Sequence, residues 1–201
     1  MKKQVVVIHG GDNFDTYKEY IKFLKDFEID FERFKRKGWK QNLQKDLGRN
    51  FEVVLPEMPN KTNARYLEWQ IWFKKLVPFF KKDVVLVGHS LGGIFLAKYL
   101  AENKLPKRIR ATFLLAAPFD EKDSDYSLVD FVLPKSLAKL AKQGGQVFIY
   151  QSNDDPVVPF ADFYKYKTAL PNATAVMFEN RGHFGQEKFP ELAKAIKGLF
   201  K

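Results

Sequence analysis

Apolar runs that end at glycine or proline constrain the fold of this chain more than any other feature. The segments 5–8 and 84–87 are unbroken runs of valine, isoleucine and leucine, typical of strands buried on both faces of a sheet. Segments with apolar residues at helical spacing separate these strands from one another, and such alternation requires parallel pairing with helices on both faces. The sequence therefore predicts a three-layer α/β/α sandwich with a mostly parallel sheet of about six strands, the other four at 51–55, 111–117, 147–150 and 174–178.

The length of 201 residues is typical of one domain, and no repeat or linker divides the chain. We therefore expect a single domain over 1–201. Thr16 and Glu19 form a capping-box pattern at the start of a first amphipathic helix. The apolar face of that helix either continues into the following residues or gives way to a second short helix at Asp30. The aromatic and charged stretch at about 14–39 is interpreted as a helical insertion.

The net charge of +10, from 34 basic and 24 acidic residues, raises the question of a nucleic-acid partner. Acidic residues are interleaved with basic ones along the chain, and the densest basic cluster, at 33–37, directly follows several acidic residues. This pattern favours a solvated helix face. We expect no nucleic-acid partner, and keep binding through the basic surface as an alternative.

The absence of cysteine excludes disulfides, thiolate metal sites and cysteine nucleophiles. The chain has no run of about 18 consecutive apolar residues, the length of a membrane span. Its first four residues lead into a short apolar run without a small-residue cleavage site after it. We therefore expect a cytoplasmic protein without a membrane partner.

The motif that carries most chemical information is Gly88-His89-Ser90-Leu91-Gly92, a G-x-S-x-G pattern at the point where a strand gives way to a helix. A serine at such a turn lies in a strained backbone conformation that exposes its hydroxyl, and the flanking glycines let strand and helix approach closely. The alternative interpretation is a turn that only packs, or that holds a phosphate at the helix N-terminus. We expect Ser90 to be a nucleophile.

A serine nucleophile needs a base, and three histidines are candidates. His9 lies in the turn after the first strand. His89 is bonded to the serine itself, and the sharp turn directs the two side chains apart. His183 follows the last predicted strand in a glycine-flanked loop, where an accessible imidazole is expected. We therefore predict that His183 is the base.

The acid should lie between serine and histidine along the chain, since this type of site is laid down in the order Ser, acid, His. Asp155, which precedes a rigid proline in the loop after the fifth strand, is the predicted acid. Its neighbour Asp154 is expected to hydrogen-bond the turn backbone, the usual role of aspartate in such loops. Asp120, at the end of the fourth strand, remains a third candidate.

An oxyanion hole requires two backbone N–H groups. Leu91, directly after the serine, supplies one of them in our interpretation. The second is expected in the turn His9-Gly10-Gly11-Asp12, where Gly11 is the first choice and a plain tight turn is the alternative. This turn lacks the G-x-G-x-x-G spacing of a dinucleotide-binding loop, so we do not interpret it as one.

Taken together, these motifs resemble the α/β-hydrolase superfamily, and within it the small capless serine hydrolases related to retinoblastoma-binding protein 9. The segments that carry the resemblance span nearly the whole chain: the first strand with His9-Gly10-Gly11, Leu55 to Pro59 with the tryptophan-bearing helix after it, Gly88 to Gly93, Asp154 to Pro159, and Gly182-His183-Phe184. The resemblance implies that Ser90, Asp155 and His183 are nucleophile, acid and base. The insertion at about 14–39 is not part of this resemblance, so the resemblance does not predict the shape of the pocket.

The resemblance also implies hydrolysis of small carboxylic esters or related acyl compounds through an acyl-enzyme intermediate. No cofactor and no metal is implied, the expected partner is a small acyl substrate, and a monomer is the default state. Perhydrolysis or C–C bond cleavage uses the same triad, and no residue here separates them from ester hydrolysis. A binding or scaffold protein that keeps the hydrolase fold without catalysis is the alternative of a different class.

Overall fold

A computed structural model describes residues 2–122 and 124–201, and for Arg33 the backbone only. Within this part of the chain, six strands form one sheet in the order β2-β1-β3-β4-β5-β6, and all neighbouring strands are parallel. The predicted sheet is thereby confirmed. The strands are β1 Lys3–Ile8, β2 Phe51–Val54, β3 Val84–His89, β4 Ile109–Leu115, β5 Gln146–Ser152 and β6 Thr174–Phe178.

Seven α-helices connect or follow these strands in the described residues: α1 Tyr17–Asp26, α2 Trp39–Leu47, α3 Tyr66–Leu76, α4 Leu91–Glu102, α5 Ala138–Gln143, α6 Ala161–Ala169 and α7 Pro190–Gly198. Two short 3-10 helices, Phe31–Lys35 and Val77–Phe79, lie between them. The first helix therefore ends at Asp26, and a separate turn carries the aromatic residues after it. No helix in the described ranges is long and apolar enough to cross a bilayer.

Buried apolar residues lie on both faces of the sheet, as three layers require. On one face α3 to α6 cover side chains such as Ile8 and Leu86. On the other face α2 and α7 cover Val7 and Val87. All six residues of β3 are buried, and each fully buried valine or leucine contributes about 1.5–3 kcal/mol.

The strand order reverses between β1 and β3, because the chain runs from β1 to one side of the sheet and from β3 to the other. In open parallel sheets the loops that leave two such strands diverge, and the crevice between them is the usual place for a site. In this chain those loops hold the Gly10-Gly11 turn and Ser90. The topology thus brings the two motifs of the predicted oxyanion hole to one edge.

Helix α1 has the capping box that the sequence predicts, but it lies outside the core. Its capping box is present: Glu19 N donates to Thr16 Oγ1 over 3.2 Å, and Thr16 N donates to Glu19 Oε2 over 2.9 Å. None of its described residues is buried, however, and Tyr17 is 70% exposed. The helix lies on the rim of the molecule, where Tyr20 Oη lies 3.3 Å from Thr62 Oγ1.

The N-terminus of α3 is capped from a distance. The helix starts after Arg65, which makes no side-chain cap, and the buried Oδ1 of nearby Asn63 has no hydrogen-bond partner in the described chain. The backbone N–H of Tyr66 donates instead to both carboxylate oxygens of Asp130, each over 2.9 Å. A tertiary contact therefore replaces the local cap.

Candidate active site

Ser90 occupies the turn between β3 and α4 with φ 56° and ψ −127°, a conformation that costs a non-glycine residue about 1–3 kcal/mol. The turn is possible because its glycines allow strand and helix to touch. A Cβ at Gly88 would lie 2.3 Å from the carbonyl oxygen of Gly92, far inside van der Waals contact. The strained serine turn expected from the G-x-S-x-G spacing is thus present.

The turn after β1 packs directly against this serine. A Cβ at Gly10 would lie 3.0 Å from Ser90 Cβ and 3.4 Å from Ser90 Oγ, so only glycine leaves the hydroxyl its space. In the described chain the N–H groups of Gly11 and Leu91 donate no hydrogen bond, and both residues line the same cavity as Ser90. Two residues with unengaged backbone donors therefore line the cavity beside the serine.

His9 holds this turn in place. Its Nδ1–H donates to the carbonyl of Gly10 over 2.6 Å, and its Nε2 accepts from Met58 N over 2.8 Å. Both ring nitrogens are thus engaged by backbone, which fixes the neutral Nδ1–H tautomer. Burial lowers the pKa of His9 below its ordinary value. His9 is a support of the turn and is not available as a base.

His183 is paired with Asp155. The two carboxylate oxygens of Asp155 lie 3.0 Å and 2.9 Å from His183 Nδ1. The side chain of Asp155 is 0% exposed, whereas that of His183 is 22% exposed. A carboxylate at Nδ1 accepts a hydrogen bond from Nδ1–H, which stays on the ring, and the neutral ring then has a free lone pair at Nε2. The structure therefore joins two of the three residues that the sequence singled out.

The carboxylate of Asp155 is held by its own loop. Oδ1 accepts from the N–H groups of Val157 over 2.8 Å and Val158 over 3.1 Å. Oδ2 accepts from the amide of the buried Gln151 over 3.0 Å. These donors fix the orientation of the carboxylate toward the imidazole. The sequence did not indicate this role for Gln151, because the residue lies within strand β5 and belongs to no motif.

Asp154 and Asp120 have other partners. Asp154 Oδ1 accepts from Gly182 N over 3.0 Å and from Arg181 N over 3.3 Å, and it also contacts the hydroxyl of Ser152. The Ser152 hydrogen bond and these backbone donors hold the pKa of Asp154 below its ordinary value. Asp154 was expected to bind its own turn, where it contacts Ser152 and its own backbone N–H, and it binds the histidine loop as well. Asp120 Oδ1 instead lies 2.6 Å from Lys165 Nζ.

The histidine loop is also held from beneath by His89, which sequence reasoning set aside. Its Nε2–H donates to the carbonyl of His183 over 2.8 Å, and the two rings lie 4.9 Å apart. Its Nδ1 is buried without a hydrogen-bond partner in the described chain. Burial holds the pKa of His89 well below its ordinary value, so the ring is neutral and acts as a fixed donor.

Helix α2 binds the next residues of that loop. Trp39 Nε1 donates to the carbonyl of Phe184 over 2.9 Å, and Trp39 N donates to the carbonyl of Gln186 over 3.0 Å. Asn42 Nδ2 donates to the carbonyl of Glu187 over 3.1 Å. The end of the stretch at 14–39 therefore fixes the position of His183. No local sequence pattern predicts this contact, since Trp39 and the histidine loop are far apart in the chain.

His89, which precedes Ser90 in the chain, contacts both the ring and the carbonyl of His183. In the described residues no hydrogen bond connects Ser90 Oγ to the His183 ring. Such a bond is often loose or absent in a ligand-free site and forms when substrate binds. The serine turn and the His183–Asp155 pair are thus linked by the hydrogen bond from His89 to the His183 carbonyl.

Ser90 opens into a cavity of about 390 Å³, a volume suited to a small organic ligand. We call it the serine cavity. One wall comes from the segment before and within α1, where Phe14 and Phe23 pack with ring centroids 5.0 Å apart. The opposite wall carries Tyr126 and Val158. Within the described ranges, no group of three His, Asp or Glu residues could hold a metal ion.

The parallel sheet, its covering helices and the strained serine turn define an α/β-hydrolase. The model of the serine hydrolase family matches residues 31–197, and the chain belongs to that family. The resemblance expected from the motifs is thereby confirmed. Strand β1 and helix α1 precede the matched range.

Individual relatives agree with this assignment. The serine hydrolase RBBP9 of Rattus norvegicus is 24% identical over 172 residues, which cover 81% of this chain and 86% of that protein. The crystal structure of the ydeN gene product from B. subtilis superimposes with a TM-score of 0.78 at 20% identity, covering 99% of both chains. A lipase-esterase related protein from Clostridium acetobutylicum ATCC 824 gives a TM-score of 0.63 at 12% identity, covering 98% of this chain and 94% of that one.

Proposed function

We propose that this serine hydrolase cleaves small carboxylic esters or related acyl compounds with Ser90 as nucleophile, His183 as base and Asp155 as the acid that orients it. The observation that carries the proposal is the pairing of His183 Nδ1 with the buried Asp155 carboxylate over 2.9 Å, next to a serine held in a strained turn. An activated serine needs this combination.

The chemistry then follows in two half-reactions. His183 Nε2 takes the proton of Ser90 Oγ as that oxygen attacks the substrate carbonyl, and the carbonyl oxygen becomes negatively charged. Collapse of the tetrahedral intermediate breaks the bond to the leaving group, which receives the proton from Nε2–H and departs as alcohol or thiol. Water, deprotonated by the same nitrogen, attacks the acyl-enzyme and releases the carboxylic acid and the free serine.

Asp155 keeps its negative charge throughout and stabilises the imidazolium while the proton itself stays on His183. The N–H groups of Leu91 and Gly11 receive the developing oxyanion in this scheme. Each such donor contributes about 2.7–4 kcal/mol to stabilisation of the transition state. Their freedom from other acceptors supports this role.

A fluorophosphonate probe tests the proposal directly. We expect covalent labelling of wild type at Ser90, identified by peptide mass spectrometry, and no labelling of Ser90→Ala. Ser127→Ala is the matched control, because Ser127 lines the same cavity but lies outside the strained turn, and this variant should still be labelled. Absence of labelling in the folded wild type would favour a non-catalytic binding protein.

The acyl preference is measured with p-nitrophenyl esters of graded chain length. A cavity of about 390 Å³ should give an optimum at short to medium chains, with Ser90→Ala as the baseline for uncatalysed hydrolysis. Rates that do not vary with chain length would contradict a defined acyl pocket.

A further inference from the structure

The charges around the serine cavity have the opposite sign to the protein as a whole. The chain carries a net charge of +10, yet the lining residues that the structure describes include no lysine or arginine. An adjoining groove of about 560 Å³ shares part of this wall and likewise has only acidic charged residues among its described lining. The carboxylates of the two spaces are Asp12, Asp15, Glu19, Glu121 and Asp125.

These carboxylates come from two separate segments that face each other. Asp15 precedes α1, whereas Glu121 and Asp125 belong to the loop after β4. The hydroxyl of Ser127 lies between the two segments, 2.9 Å from Asp15 Oδ1 and 3.1 Å from Glu121 Oε1. The acidic groups thus surround the mouth of the cavity rather than forming a single local run.

Basic side chains do not neutralise three of these carboxylates. Asp15, Glu121 and Asp125 form no ion pair with a lysine or arginine in the part of the chain that the structure describes. Aspartate and glutamate side chains are ionised at neutral pH. A cleft lined by charges of one sign focuses the field and raises the local concentration of a ligand of the opposite sign.

A second feature of the same wall also favours cations. The rings of Phe14 and Phe23 lie 5.0 Å apart in the wall of the cavity, and the aromatic ring of Tyr126 lines it as well. The negative face of an aromatic ring attracts ammonium groups, above all alkylated ones whose hydration is weak. Because no three acidic or histidine side chains converge in the described residues, the arrangement fits an organic cation better than a metal ion.

We propose that the serine cavity selects acyl substrates that carry a positively charged alkylammonium group. The inference rests on the proposed function, since it names the substrate class of the same serine. The aromatic wall contacts the alkyl groups of the cation, and the carboxylates of Asp15 and Asp125 supply the field that draws it in.

The test compares charged substrates with uncharged isosteres of the same shape. Acetylthiocholine is paired with S-(3,3-dimethylbutyl) thioacetate, which places the charge on the leaving group. The p-nitrophenyl ester of 4-(trimethylammonio)butanoate is paired with that of 5,5-dimethylhexanoate, which places it on the acyl group. At low ionic strength we expect kcat/KM to be about tenfold higher for the cation in at least one pair, and the ratio should fall as salt is added.

The variant Asp15→Asn/Asp125→Asn removes two of the carboxylate charges, while the amide introduced at position 15 keeps an oxygen that can accept from Ser127 Oγ. Its cation-to-isostere ratio should fall to within about twofold of unity. The matched control is Glu28→Gln/Asp46→Asn, which changes the net charge equally at positions outside the described lining and should keep the wild-type ratio.

The outcomes separate this inference from the proposed function. Fluorophosphonate labelling or hydrolysis of the neutral isosteres without a cation preference in either pair overturns the inference alone. Equal loss of the preference in the control variant also overturns it, because the effect would then come from net charge. Absence of both labelling and hydrolysis overturns the proposed function and the inference with it.

Discussion

His89 Nε2 lies 2.8 Å from the carbonyl oxygen of His183, so the residue before the serine holds the loop that carries the proposed base. The serine turn and the histidine loop are therefore connected directly, although His89 and His183 lie 94 positions apart in the chain. A displacement of about 1 Å between catalytic groups can lower a rate by about 10²-fold.

Replacement of His89 by leucine should slow catalysis without weakening substrate binding. The variant leaves the His183 carbonyl without its buried donor, and we expect kcat to fall about 10- to 100-fold with KM changed by less than about twofold. His89→Gln restores an N–H donor and should recover part of kcat. Steady-state kinetics with a p-nitrophenyl ester measure both values, and a wild-type kcat in His89→Leu would contradict the positioning role.

The buried His89 also makes stability depend on pH. Burial lowers its pKa well below 6.5, so the unfolded chain gains a proton that the native state does not as the pH falls. Stability is therefore fully present above pH 6.5 and is lost below it, by at most about 1.4 kcal/mol per pH unit for one group.

Urea unfolding between about pH 5 and 7.5 measures this loss. The free energy of unfolding of His89→Gln should decrease less steeply than that of wild type. His9, whose pKa is also lowered by burial, contributes the same slope to both proteins and cancels in the comparison. Parallel curves would show that His89 does not cause the pH dependence.

The two adjacent aspartates should give different phenotypes. Asp155→Asn places an amide against His183 Nδ1 and favours the wrong tautomer, for which a loss in kcat of about 10⁴-fold is typical of such triads. Asp154→Ala removes the acceptor of Gly182 N and one of the two acceptors of Arg181 N, which also donates to Ser152 Oγ. We expect it to give a smaller loss in kcat, of about tenfold, and faster amide exchange at these two residues.

Hydrogen exchange followed by mass spectrometry distinguishes the two roles. Exchange at 180–183 should increase in Asp154→Ala and stay near wild type in Asp155→Asn. If Asp154→Ala lost as much activity as Asp155→Asn while the loop stayed protected, Asp154 would be the acid, contrary to the proposal.

Gly10→Ala should reduce activity while the protein remains folded. The added Cβ would lie 3.4 Å from Ser90 Oγ and 3.0 Å from Ser90 Cβ, so either the turn or the serine must shift. Displacement of an oxyanion donor predicts a decrease in kcat of about 10²- to 10³-fold. Gly198→Ala is the control, because a Cβ there meets nothing within 4 Å, and it should keep full activity. Thermal unfolding verifies that both variants fold.

The sheet and most helices could be predicted from the sequence because most of the strands contain an apolar run that ends sharply. The β6 segment, for example, has the predicted limits of Thr174 and Phe178. The strained turn at Ser90 was predictable for a similar reason, since the glycines around it are required by local contacts at the strand-to-helix junction. These features depend on residues that are close together in the chain, and a sequence shows such residues directly.

Features that depend on distant contacts were not predictable. The cap of α3 comes from Asp130 rather than Asn63, and the histidine loop is bound by Trp39 and His89. No periodicity or spacing relates such pairs. Helix α1 begins with the capping box that the sequence predicts, but its amphipathic pattern did not show that none of its described residues is buried.

This last property has an evolutionary consequence. Because α1 buries none of its described residues, substitutions along it carry little penalty for folding. Yet Glu19 and Phe23 from the same helix line the serine cavity, where we propose that the substrate binds. Substitutions in this one peripheral helix can therefore change the shape and charge of the serine cavity without disturbing the sheet and its covering helices.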